Sequence, residues 1–115
     1  MVLDQKSHLL LTGDTLYPGR IYVPINKFAI FRASIDRVVA ATRANPPTAL
    51  LGAHIEMRRT AGEDYESRAT AHHDEHKLPL PYSSLLELQA ALHAMPDEPV
   101  RQRHDDFIIV PVAPN

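Results

Sequence analysis

The chain has 115 residues, a length typical of one domain with its own core. Its net charge of −2 gives no electrostatic case for nucleic acid or an anionic membrane surface as a partner. The absence of cysteine excludes disulfides and thiolate zinc sites. No apolar run approaches the roughly 18 residues that a membrane span needs, and residues 1–6 lack a signal-peptide core, so we expect a cytoplasmic protein.

The first predicted strands lie near the N-terminus. Residues 2–12 favour a hairpin, with a tight turn between its two arms. The run from Leu9 to Leu16 is interrupted by a Gly13-Asp14 corner, typical of a buried strand that ends at a sheet edge. Because ligands of α/β folds sit at the carboxyl ends of such strands, Asp14 is a candidate functional residue. The alternative is an ordinary strand-ending turn.

Residues 27–44 are the clearest predicted helix. Asn26 is a suitable N-cap, and the Asn-Pro-Pro sequence that follows stops the helix. The apolar residues recur at intervals of three and four, so they share one face. The members of this face are Phe28, Phe31, Ile35, Val38, Val39 and Thr42.

Residues 48–55 repeat the pattern of the first buried strand, since a short apolar run again presents one polar side chain, here His54. Strand, helix and strand in this order imply parallel pairing with a right-handed crossover. The carboxyl ends of the two strands, and with them Asp14 and His54, then meet at one edge. Carboxylate oxygen and imidazole nitrogen are both zinc ligands, so the pair is a candidate metal site. The alternative is a hydrogen-bonded core histidine beside a turn aspartate.

Residues 56–82 predict a long irregular loop, because the segment is polar, contains two prolines and has no apolar period. Loops of this length are often functional. The segment carries His72, His73 and His76, with the His-x-x-Glu-His spacing of inverted zincin proteases. That chemistry needs a helix, against which the neighbouring prolines argue. Metal binding by a solvated histidine cluster and a plain polar loop are the other interpretations.

The C-terminal third predicts one helix and one strand. Ser84 and Glu87 have the spacing of a capping box, which would start a helix that runs to about Met95. Residues 100–106 are polar and predict a loop or a hairpin arm. Phe107–Val110 predict a last short strand.

Two segments of the chain resemble consecutive motifs of metallo-β-lactamase-fold hydrolases. Leu10–Leu16 followed by Tyr17–Arg20 is similar to the fourth metal motif of that family, and Gly52–Glu56 is similar to the fifth. The helix and strand between them fit the expected separation, and residues 74–76 before a leucine-rich helix look like the same subgroup. The resemblance spans roughly residues 2–110.

The resemblance implies an α/β chain that is the C-terminal half of an αββα sandwich, with a metal site between the sheet edges. In that site Asp14 would be a bridging carboxylate and His54 a ligand of the second zinc ion. The metal lowers the pKa of a bound water and so provides a hydroxide nucleophile. Typical substrates of the family are esters, thioesters, lactams, lactones and phosphate esters.

The chain departs from the family pattern upstream of Asp14, where the His-x-His-x-Asp-His motif and the third-motif histidine are absent. Asp14 and His54 supply two of about three protein ligands that a catalytic zinc needs. We therefore expect a lone monomer to be inactive. A second interpretation is a non-catalytic homodimeric interaction module, because half a sandwich leaves one sheet face uncovered. A second copy, or a complementary N-terminal half, would rebuild the sandwich.

Overall fold

The described part of the chain, residues 1–66 and 74–114 of a computed structural model, is mixed α/β with two α-helices and two small sheets. In this part of the chain, no helix combines the length and the apolar character of a membrane span. In chain order the elements are β1 (Val2–Asp4), β2 (Leu9–Gly13), β3 (Arg20–Pro24), α1 (Phe28–Thr42), β4 (Ala49–Gly52), β5 (Pro79–Leu80), α2 (Tyr82–His93), β6 (Gln102–Arg103) and β7 (Ile108–Val112).

The first sheet has the strand order β1-β2-β4-β5 and contains the predicted site. Strands β1 and β2 form the predicted antiparallel hairpin, and β2 pairs with β4 in the predicted parallel direction. Leu10, Leu50 and Leu80 stand in one register row across the sheet, and all three are buried. This row is the inner face of the sheet, and it packs into the core.

The second sheet has the order β3-β7-β6, and its central pairing joins distant parts of the chain. Strand β3 runs parallel to β7, with Arg20 opposite Ile108, and β6 forms the predicted hairpin arm against β7. The sequence predicts extended structure near β6 and β7 without indicating that they pair with β3 in a separate sheet. Pro18 and Gly19 interrupt the chain after β2, which lets β3 leave the first sheet.

Helix α1 packs the predicted face against the core. Ile35, Val39 and Thr42 are buried, and Phe28, Phe31 and Val38 are partly buried. The prediction for its N-cap is wrong. Asn26 lies in a short 3-10 turn, and Lys27 occupies the cap position without a side-chain hydrogen bond. The 3-10 turn leads directly into the helix, as such turns often do at helix N-termini.

The predicted capping box of Ser84 and Glu87 is wrong. Helix α2 begins at Tyr82, two residues before Ser84. Pro81 is the N-cap residue, with φ −71° and ψ 157°, and its fixed φ already suits a helix start. Ser84 is buried inside the helix, and the side chain of Glu87 lies 2.6 Å from Nδ1 of His104. Local spacing suggested a cap, but the backbone at Pro81 decides where the helix begins.

One hydrophobic core joins both sheets to the two helices. The long segment between β4 and α2 takes part in the burial, because Met57 and Tyr65 are buried side chains. Isolated bridges join Met57 to Asp64 and Arg58 to Glu75. The described parts of residues 56–82 are thus packed onto the domain, and they include strand β5, whereas the sequence predicts an irregular loop. The fully or nearly buried core residues are Leu10, Leu16, Ile21, Val23, Ile35, Val39, Leu50, Leu80, Leu85, Leu88, Ala91, Leu92, Phe107 and Ile109.

Candidate functional site

The carboxyl ends of β2 and β4 bring Asp14 and His54 together. Nε2 of His54 lies 2.8 Å from Oδ1 of Asp14, and their side chains are 57% and 76% exposed respectively. The two strands are held in register beyond their ends, since the Ala53 N–H donates to the Gly13 carbonyl at 3.0 Å. The parallel arrangement predicted from strand order therefore produces the predicted meeting of these two side chains. The core-histidine alternative fails for His54, which is exposed.

A tight turn presents Asp14 at the sheet edge. Gly13 has a φ of +54°, a backbone conformation that residues with a side chain rarely adopt. The buried Thr12 hydroxyl donates to the Leu16 carbonyl at 2.6 Å, and the Thr15 N–H donates to the Thr12 carbonyl at 2.9 Å. These bonds close the turn from inside, so the Asp14 carboxylate projects into solvent.

Tyr17 supports the imidazole of His54 from the side. The two rings meet edge to face, with 5.4 Å between their centroids. The Tyr17 hydroxyl donates to the Arg20 carbonyl. Burial, followed by the negative charge of Glu56, raises the pKa of Tyr17 well above its ordinary value of 10. Tyr17 is therefore a neutral wall beside the pair, held by its own hydrogen bond.

The pair lies in an open depression of about 370 Å³, lined by Asp14, Tyr17, Tyr22, His54 and Glu56. Glu56 supplies a second carboxylate near the pair, but its oxygens already accept hydrogen bonds from Arg20. They accept from the backbone N–H of Arg20 at 2.9 Å and from Nη2 of Arg20 at 3.1 Å. Glu56 is thus engaged with an arginine, and the two exposed side chains at the edge that could ligate a metal are Asp14 and His54.

Arg20 is a buried cation bonded to Glu56, and only 8% of the residue is exposed. Besides Glu56, its guanidinium donates to Asp64 at 3.0 Å and to the Tyr65 carbonyl at 2.6 Å. Burial lowers the pKa of Arg20, but the hydrogen bond to Asp64 and the charge of Glu56 outweigh burial and raise it. The guanidinium thereby ties β3 to the chain that follows His54.

Sequence reasoning missed the roles of Arg20, Tyr22 and Glu56. Arg20 and Glu56 are the last residues of the two segments that resemble family motifs. Their position at the ends of these segments was the signal for their pairing. No signal in the sequence indicates on which face of β3 Tyr22 lies, because that face is decided by the pairing of β3 in the second sheet.

The histidine cluster predicted from the sequence lies partly outside the described residues, which include His76 but not His72 or His73. His76 has both ring nitrogens engaged. Nδ1 lies 2.7 Å from the Lys77 carbonyl oxygen, and Nε2 lies 2.7 Å from Oδ1 of Asp106. In this arrangement His76 links the segment after residue 73 to the turn between β6 and β7.

The donor chemistry at the sheet edge fits a divalent metal, since one carboxylate oxygen and one imidazole nitrogen lie close together and are exposed. Within residues 1–66 and 74–114 no group of three or more metal-capable side chains occurs. The edge therefore offers two protein ligands. Comparisons of the chain with family models, with curated proteins and with solved structures find no match.

Proposed function

We propose that the chain is part of a metal-dependent hydrolase of the metallo-β-lactamase type, and that it contributes Asp14 and His54 to the metal site. The observation that supports this proposal is the 2.8 Å approach of His54 Nε2 to Asp14 Oδ1 at the shared carboxyl edge of two parallel strands. Ligands of α/β folds bind at such edges. Histidine-carboxylate pairs also occur on the surfaces of helices. The pair of Asp14 and His54 differs from these because it lines an open depression.

Each residue of the depression has a part in this proposal. Asp14 and His54 would hold zinc, which when bound lowers the pKa of a coordinated water to near neutrality. Tyr17 fixes the tilt of the imidazole through its ring edge. Arg20 holds Glu56 through two hydrogen bonds, so the Glu56 carboxylate does not compete for the metal. We propose that the missing ligands come from a second protein segment, and that hydrolysis requires it.

Metal binding tests the proposal directly. We expect Mn²⁺ to broaden the amide resonances of residues 13–14 and 52–54 in the NMR spectrum, because the paramagnetic ion would sit on Asp14 and His54. Zinc should reverse the broadening. Affinity should be weak, since two ligands fall short of the three that a catalytic zinc site normally has.

The variants His54→Ala and Asp14→Asn should lose this local broadening. His93→Ala is the matched control, because His93 also pairs with a carboxylate, Asp36, at 2.8 Å on the exposed helix surface. Equal broadening of residues 13–14 and 52–54 in wild type and His54→Ala would contradict the proposal, and so would broadening confined to the neighbourhood of His76. Tight stoichiometric zinc together with thioester hydrolysis by the lone chain would contradict the need for a second segment.

A second candidate function, the homodimeric interaction module, is favoured by the outer face of the first sheet. Val2, Leu11, Leu51 and Pro79 form one register row on the face opposite the core. Val2, Leu11 and Pro79 are exposed, and Leu51 is half-buried. Two copies related by a two-fold axis would place this apolar row against itself and cover it, as sheet-on-sheet packing does.

Light scattering at micromolar concentration tests this pairing. We expect wild type to have the mass of a dimer and Leu11→Lys to be monomeric, because a charge in the centre of the apolar row cannot be buried unpaired. Ile30→Lys is the control, since Ile30 is an exposed apolar residue on α1 and should leave the dimer intact. A wild-type monomer would refute the homodimer and leave the hydrolase proposal standing.

A further inference from the structure

A cleft opens between the first hairpin and helix α1. It has a volume of about 380 Å³, which lies in the range of small-molecule pockets in proteins. Leu3 and Leu10 stand opposite each other in the hairpin and line the cleft from the sheet side. Leu10 is buried, whereas Leu3 is 37% exposed, so α1 leaves the β1 side of the inner face partly uncovered. In the described part of the chain, the cleft shares no lining residue with the depression at Asp14 and His54.

One face of α1 forms the opposite wall of the cleft. Its lining residues follow the three-and-four spacing of a helix, so they lie in one row along the axis. The members of this row are Ser34, Arg37, Val38, Ala41 and Thr42. The Thr42 hydroxyl is engaged inside the fold, because it donates to the Val38 carbonyl at 2.7 Å. The wall is therefore polar at Ser34 and Arg37 and apolar about 10 Å further along the helix, around Ala41.

The polar end of the cleft is cationic. Nη2 of Arg37 donates to the Ser34 hydroxyl at 3.1 Å. A guanidinium carries several N–H donors, and a serine that accepts a hydrogen bond keeps its own proton, so both side chains retain donors for a ligand. The neighbouring carboxylate of Asp36 is engaged with α2 instead, through Gln89 at 2.9 Å and His93 at 2.8 Å. Among the described residues the lining contains no carboxylate, so this end of the cleft favours an anion.

We propose that the cleft binds a free medium-chain carboxylate such as octanoate. The carboxylate would accept hydrogen bonds from Arg37 and Ser34, and the alkyl chain would lie between Leu3 and the apolar part of the helix wall at Val38 and Ala41. Burial of the chain supplies affinity that grows with its length, and the charge-assisted hydrogen bond fixes its direction. The site does not depend on the proposed hydrolase function.

Matched ligands test the proposal by NMR titration of the full chain. Octanoate carries the alkyl chain and the charge, 1-octanol keeps the chain without the charge, and butyrate keeps the charge on a shorter chain. We expect octanoate to bind most tightly and to shift the amide resonances of residues 3, 10 and 37–42. Butyrate should bind more weakly by at least about tenfold, because it buries less apolar surface.

Two substitutions on α1 separate the contributions of the charge and of the apolar wall. Arg37→Gln should weaken octanoate binding by about tenfold, because the charge-assisted hydrogen bond is lost, and should leave 1-octanol binding unchanged. Arg43→Gln is its matched control, since Arg43 is exposed at the end of the same helix. Ala41→Glu should weaken both ligands by about tenfold, because it places a charge at the apolar end of the cleft. Its matched control is Ala40→Glu, at an exposed position of α1 outside the described lining.

Several results would overturn the proposal. They are equal affinities of octanoate and 1-octanol for wild type, an unchanged octanoate affinity in Arg37→Gln, and no saturable shift at millimolar octanoate. An octanoate affinity that falls as the protein concentration rises would also overturn it, since a second copy of the chain would then cover the cleft. The Mn²⁺ titration of Asp14 and His54 is independent of these outcomes.

Discussion

Replacing Arg20 with methionine is expected to lower the free energy of unfolding by about 3–5 kcal/mol, since removing one partner of a buried ion pair leaves uncompensated charge. Methionine retains much of the apolar part of the arginine side chain, so the loss of stability reports the removal of the guanidinium group. Glu56 would keep the backbone N–H of Arg20 but lose the guanidinium, and the Tyr65 carbonyl would lose its 2.6 Å donor. Asp64 would retain Arg103, which places the expected loss toward the lower end of the range.

Urea unfolding at neutral pH measures this loss, with Arg37→Met as the matched control. Arg37 is exposed on α1 and donates to the hydroxyl of Ser34 at 3.1 Å, so its replacement should change stability by less than about 0.5 kcal/mol. A loss of similar size in both variants would show that Arg20 does not hold the loop after His54 to β3.

The pH dependence of the same variants gives a second check. Burial raises the pKa of Asp64, but hydrogen bonds from Arg103 and Arg20 outweigh burial and hold it below its ordinary value of 3.8. A carboxyl whose pKa is lowered in the folded state stabilises the fold above its unfolded pKa. That stabilisation is lost as the pH falls through the folded pKa. The stability gap between wild type and Arg20→Met should therefore narrow below about pH 4.

Replacing Gly52 with valine is expected to lower the free energy of unfolding by about 3 kcal/mol, because the added side chain overpacks its surroundings. A Cβ at Gly52 would overlap the Cβ of Tyr17 and lie 2.8 Å from the carbonyl oxygen of Leu16. Both neighbours are buried, and one of the clashing atoms is backbone. The turn that carries Asp14 must then move away from β4, which separates Asp14 from His54.

Gly13→Ala is the comparison that isolates this close approach. A Cβ at Gly13 would meet nothing within 4 Å, although φ is +54°. The expected cost is then the left-handed backbone alone, about 1–2 kcal/mol. Thermal and urea unfolding measure both variants, and the Mn²⁺ titration reports whether Asp14 and His54 still lie together. A Gly52→Val protein as stable as Gly13→Ala would show that β4 and the Tyr17 turn are not in close contact.

The strand ends were predictable because their signals are local. Leu9–Gly13 and Ala49–Gly52 are short apolar runs that end at glycine, and the helix between them has a clear period. Strand, helix and strand in that order favour parallel pairing, which places Asp14 and His54 at one edge. The same local reasoning failed at Asn26 and Ser84, where a 3-10 turn and a proline start the helices.

The second sheet was not predictable, since β3 and β7 are far apart in the chain and neither carries a mark of its partner. Their pairing decides that Arg20 is buried and that Tyr22 faces outward. The membership of Glu56 and Tyr22 in the depression follows from that pairing. Nothing in the spacing of charged residues along the chain indicates that Arg20, Asp64 and Arg103 would meet.

The sequence by itself determined the mixed α/β class, the two helices, the first hairpin and the pairing of Asp14 with His54. Hydrophobic period and strand order are properties of short windows, and they decide these features. Only the tertiary structure decided the second sheet, the buried Arg20 and the surroundings of Asp14 and His54. These depend on contacts between residues more than 30 positions apart, such as the bond from Arg20 to Asp64. Such contacts gain their strength from burial, and burial is known only once the chain is folded.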